Sequence, residues 1–112
     1  MKTTDNEIKV WVNFDTNGLP KVQFIGNSNQ WRIYERYAIF IEILGWCDTS
    51  DCANNFEVTW ETADYHIRKL EKLGYLKTEL VNLDSNKQSG QYVKMLAIRD
   101  EKRFFKNGKA ES

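Results

Sequence analysis

Three observations predict an α+β fold for this chain. From Thr59 to Gly74 the apolar residues Ala63, Ile67, Leu70 and Leu73 recur at helical spacing, between a threonine suited to capping and a glycine suited to stopping a helix. After it come two strand-like segments, 76–83 and 91–98, joined by Asp84-Ser85-Asn86-Lys87-Gln88-Ser89-Gly90, all polar or turn-favouring. Near the start, Ile8-Lys9-Val10-Trp11-Val12-Asn13-Phe14 alternates in the manner of a strand.

The elements follow in order. Asp15-Thr16-Asn17-Gly18 is turn chemistry, with Asn-Gly suited to positive φ. Val22-Gln23-Phe24-Ile25 can return as a second strand, so residues 8–25 read as a β-hairpin. Pro20 stands at the start of that return, where a missing N–H is tolerated. Residues 26–29 break the pattern and offer helix caps. Gln30 to Leu44 reads as the first helix, apolar around most of its circumference and therefore central. Ile39 and Ile43 fall within its charged arc, beside Arg32, Glu35, Arg36 and Glu42, so the hairpin or a second subunit is expected to cover them.

Asp48 to Phe56 is polar, and a short second helix can open at Ser50-Asp51-Cys52-Ala53. The third helix runs from its cap at Thr59 to Gly74. A short helix is expected around Phe104-Phe105, with fraying from Asn107 onward. The division expected is a flexible N-terminus (1–7), one domain (8–99, including the hairpin) and a basic tail (100–112).

The chain has 112 residues, 15 of them aromatic, enough to fill one core. Its formal charge is zero, but the halves differ. Residues 1–65 hold five Lys/Arg against ten Asp/Glu, whereas residues 66–110 hold eleven against five. One face can therefore attract phosphate although the whole is neutral. No run of 18 apolar residues occurs and the first residues lack a signal-peptide core, so an intracellular protein is expected.

Helix, strand, loop, strand is the back half of a winged helix-turn-helix. Ile67-Arg68-Lys69-Leu70-Glu71-Lys72-Leu73-Gly74-Tyr75-Leu76 resembles the end of the recognition helix in MarR- and ArsR-like winged-helix regulators, and the likeness spans about Gln30 to Arg99. It implies a winged helix-turn-helix with an additional N-terminal β-hairpin. It also implies double-stranded DNA as partner and transcriptional regulation as role. The third helix would then enter the major groove, and residues 84–91 would brace the wing on the backbone or minor groove. In that setting Arg68 is placed to contact guanine, and Thr62 and Tyr65 to meet a thymine methyl or a phosphate. Lys69 and Lys72 would neutralise phosphate. Lys87 and Gln88 sit on the wing, while Arg99, Lys102, Arg103 and Lys106 form a basic cluster that can track phosphates.

The size, the N-terminal strands and the two close cysteines are also similar to small winged-helix proteins of spindle-shaped viruses of Sulfolobus. This implies a viral protein in a host cytoplasm and a disulfide between Cys47 and Cys52, since intracellular proteins of hyperthermophiles retain such bonds. An ordinary cytosol would leave both thiols free.

Glu57, Glu61 and Asp64 crowd the start of the third helix. They suit the helix dipole, yet would repel phosphate on a DNA-facing surface. The competing reading is a winged-helix module that binds protein. Enzyme chemistry lacks support. The chain has one histidine, His66, no Gly-rich phosphate loop, and no GxSxG or HExxH motif. Neither a cofactor nor a metal site is expected, because two cysteines five apart with one histidine do not complete a ligand set.

Overall fold

A computed structural model describes residues 8–25, 31–82 and 92–105. The described residues are α+β, with three α-helices and two small antiparallel sheets. It divides into two compact units, residues 1–32 and 33–112.

The first unit contains the hairpin of β1 (Val10–Phe14) and β2 (Pro20–Phe24), in register through Val12 opposite Val22. The turn rests on Asp15. Its carboxylate accepts from the backbone N–H groups of Asn17 (2.8 Å) and Leu19 (2.9 Å). Gly18 alone in this turn takes positive φ, at 81°, a conformation that costs glycine little. Val10, Val12, Phe14, Pro20, Val22 and Phe24 share one face. Val22 is buried and Phe14 is exposed.

The second unit is built around α1 (Ile33–Leu44), which lies against α2 (Thr49–Phe56), α3 (Trp60–Lys72) and β4 (Tyr92–Ile98). Tyr37, Ala38, Ile39, Phe40 and Ile41 are buried without interruption, so α1 is the central helix its apolar circumference predicts. Phe56 stacks on Tyr37 (ring centroids 4.2 Å) and meets Phe40 edge-on (5.7 Å), which fixes the end of α2 against α1. The chain itself buries Ile39, so no second subunit is needed to cover it, and Ile43 is half-buried. With neighbours on several sides, α1 leaves little of its circumference to solvent.

Helix α2 starts earlier than expected. Asp48 caps it, accepting from the Asp51 N–H at 2.8 Å, and the Asp51 carboxylate accepts from the Asp48 N–H at 3.0 Å. This is a capping box with aspartate at both ends. Burial raises the Asp51 carboxyl pKa, against the lowering effect of that backbone bond. Glu57 closes α2 in the left-handed conformation (φ 56°) and does not belong to α3.

Thr59 caps α3 as its sequence predicts, accepting from the Thr62 N–H at 3.1 Å. At the far end the Tyr75 N–H donates to the Leu70 carbonyl (3.0 Å) and the Gly74 N–H to the Glu71 carbonyl (3.1 Å). This pair of bonds is a Schellman motif, and it requires the positive φ (82°) that Gly74 adopts. The chain then turns into β3 (Leu76–Asn82), which pairs antiparallel with β4 from Leu76 opposite Ile98 to Asn82 opposite Tyr92. The loop between them, with Lys87 and Gln88, lies outside the described residues.

Between α1 and α2, Cys47 forms an antiparallel bridge to Leu96 of β4, with bonds of 3.0 and 2.7 Å. This corrects the expected Cys47–Cys52 disulfide. The pair is 4.1 Å apart, about twice the length of a disulfide bond, and both are buried free thiols. The bridge holds the backbone of Cys47 on the sheet, while Cys52 rides on α2. A hydrogen bond with Cys47, and then burial, push the Cys52 thiol far above the ordinary range. Cys52 in turn is the secondary reason, after burial, that the Tyr37 hydroxyl is pushed up to about 12.

Candidate nucleic-acid interface

Helix α3 turns Ala63, Ile67 and Leu70 into the core and leaves the opposite face to solvent. Glu61, Thr62, Tyr65, Arg68, Lys69 and Lys72 are all exposed. The structure thus brings together five of the residues marked from sequence: Thr62, Tyr65, Arg68, Lys69 and Lys72. They do not behave alike.

Thr62 shares a hydroxyl–hydroxyl bond of 3.0 Å with the cap residue Thr59, so its side chain is oriented. Tyr65 is exposed and meets His66 edge-on at 5.2 Å. Lys69 leans away from the centre of the face, with its Nζ 4.9 Å from the Tyr34 ring of α1. Arg68 donates from Nε to Asp64 Oδ2 at 2.6 Å. That bond, with the charge of Asp64, raises the pKa of the exposed guanidinium.

Of the three carboxylates that weigh against phosphate, Glu61 stays exposed on this face, while the other two are engaged. Asp64 is paired with Arg68, Glu57 caps α2, and Glu61 sits in the first turn of α3, where the dipole favours it.

Beside this face runs a groove of about 370 Å³ between α3, the start of α2 and β4. Trp60, Asp64 and Arg68 form one wall, Tyr92 and Lys94 the other, and Ser50 an end. Lys94 Nζ lies 2.9 Å from Glu71 Oε2, an ion pair that ties β4 to α3. Trp60, Tyr92 and Lys94 are not evident from spacing alone. Trp60 is detectable in retrospect as the residue one turn before Asp64. The Glu71–Lys94 pair spans 23 positions, and nothing local marks it.

The described part of the basic tail makes contacts of its own. Arg99 pairs with Glu101 at 2.8 Å, which lowers the Glu101 carboxyl. Residues Asp100–Lys102 form one 3-10 turn, earlier than the helix expected at Phe104-Phe105. Arg103 Nε lies 3.5 Å from Glu42 Oε2, and the same carboxylate accepts from the backbone N–H groups of Phe104 (2.6 Å) and Phe105 (2.9 Å). Phe104 stacks on Tyr75, and Lys102 lies over the Tyr75 ring at 5.2 Å. Arg103 thus joins the tail to α1, Arg99 pairs locally with Glu101, and both side chains remain about half exposed. Lys106 lies outside the described residues.

Among the described residues no three His, Cys, Asp or Glu side chains gather as a metal site would require, and no helix is long and apolar enough to cross a membrane. Comparison with protein-family models, with characterised proteins and with solved structures gives no match.

Proposed function

We propose that this protein is a winged helix-turn-helix that binds double-stranded DNA and acts in transcriptional regulation. In this reading α3 enters the major groove, and the segment joining β3 to β4 braces against the backbone or minor groove. One observation carries the proposal. The face of α3 that holds Thr62, Tyr65, Arg68 and Lys72 is exposed, and one of its acids, Asp64, is already paired with its arginine. Around it the elements are tied to one another. Helix α2 is fixed by Phe56, α3 is capped at both ends, and the strands are tied back through Cys47 and Leu96. A helix that reads base edges needs such a platform, because base contacts depend on register.

The second reading is a protein-binding module. It is favoured by the exposed aromatics Trp60 and Tyr92 on the groove and Trp11 and Phe14 on the hairpin.

Titration with random-sequence duplex DNA at several salt concentrations separates the two. DNA binding predicts that log affinity falls linearly with log salt, with a slope near −0.9 per phosphate neutralised, about −2 to −4 for contacts from Arg68, Lys69, Lys72 and the wing. No detectable binding at low salt would overturn the DNA reading in favour of the protein-binding one.

A further inference from the structure

The Asp64–Arg68 pair has an orientation that a mere surface ion pair does not need. Asp64 takes the Nε–H of Arg68, which occupies one edge of the guanidinium. The edge that remains presents Nη1 and Nη2, the two-donor edge that matches O6 and N7 of guanine. The two partners also differ in shelter. The Asp64 side chain is 17% exposed and that of Arg68 is 75% exposed. The anchor is held against the groove wall, near Trp60, Tyr92 and Lys94, and the donor end projects from it.

We propose that Asp64 is a positioning residue that makes Arg68 a reader of guanine and not a clamp on phosphate. The proposal rests on the DNA reading above and names the base contact within it. A free arginine samples many rotamers and must lose them on binding, whereas one held at Nε enters the groove already oriented. The adjacent carboxylate also cancels much of the attraction to phosphate, which is common to all sequences, but leaves the directed donors intact. Lys94, the other cation on the groove, is likewise paired, with Glu71. The groove is thus nearly neutral, so discrimination depends on geometry more than on charge.

The test uses the full chain. The preferred duplex is selected from a random-sequence pool with wild-type protein. Wild type, D64A, R68A and the double variant are then titrated against that duplex and against copies in which each guanine is replaced in turn. D64A should bind random duplex at least as tightly as wild type. Its preference at one guanine should fall at least tenfold, R68A should lose preference at the same guanine, and the double variant should lose no more than R68A. In the free protein the Arg68 Nε–H should exchange with water more slowly in wild type than in D64A, as read by 15N NMR.

D64A that discriminates as well as wild type, while R68A does not, would overturn the role of Asp64 and leave the DNA reading standing. Equal Nε–H exchange in wild type and D64A would do the same. A wild-type chain that binds no duplex would overturn the DNA reading itself, and the role of Asp64 with it.

Discussion

At the scale of single residues, polar groups are placed by what they must satisfy. His66 is an example. It packs against Tyr37 (4.9 Å) and Tyr65 (5.2 Å), and burial, then the nearby Lys69, lower its pKa. The imidazolium is therefore less welcome in the folded chain than in the unfolded one. With the folded value below the unfolded 6.5, the contribution of His66 is fully present above about pH 6.5. It is lost as pH falls through the folded value. The urea midpoint of wild type should accordingly drop between pH 7.5 and pH 5 by more than that of His66→Gln. Parallel declines for the two proteins would show that His66 contributes nothing to the pH dependence. Asp51 and Cys52 follow the same logic in a different sense. Asp51 is shifted upward chiefly by burial, and Cys52 by its hydrogen bond with Cys47 and then burial, and both lie on α2.

At the scale of elements, the caps decide where helices begin and the tail decides what α1 shows to solvent. Glu42 is the main example. Its side chain is 4% exposed, and it accepts two backbone N–H groups while lying near Arg103. A buried carboxylate must find such partners or lose its charge. Hydrogen bonds to a charged group contribute roughly 1.5–3 kcal/mol each, so Glu42→Ala should cost on the order of 2–4 kcal/mol, allowing for relaxation of the released segment. The same change should abolish exchange protection of the Phe104 and Phe105 amides. Retained protection at those amides would show that the Tyr75–Phe104 stack holds the tail without Glu42.

This element also marks the limit of sequence reading. The third helix, its cap at Thr59 and its stop at Gly74 are legible because local spacing dictates them. The hairpin turn at Asp15 to Gly18 is legible for the same reason. The burial of Glu42 is not, because helical periodicity assigns a face by composition and cannot see a neighbour that arrives from 62 positions away. The pairing of Arg68 with Asp64 lies one turn apart and is readable in principle. Its direction, through Nε, needs coordinates.

At the scale of the whole molecule, the two units are unequal. Every buried apolar side chain among the described residues except Val22 lies between Tyr37 and Ile98. The second unit therefore carries its own core, closed by the Tyr37–Phe56–Phe40 aromatic cluster, by the Cys47–Leu96 bridge and by the tail on Glu42. The hairpin is a lone pair of strands, and two-stranded hairpins are marginal in water by themselves. A fragment of residues 33–112 should then fold on its own and unfold cooperatively in urea, with a helical circular-dichroism spectrum. A peptide of residues 1–32 should be mostly unstructured. The charge division adds a functional arm to the same experiment. Most of the basic excess follows residue 65, and the face of α3 lies wholly in the larger fragment. If DNA binding resides there, the fragment should keep the affinity and salt slope of the full chain to within about threefold, roughly 0.7 kcal/mol. Loss of cooperative unfolding would show that the hairpin completes the core. A folded fragment with affinity reduced tenfold or more would place part of the DNA contact on the hairpin, where Trp11 and Phe14 are the exposed residues to substitute next.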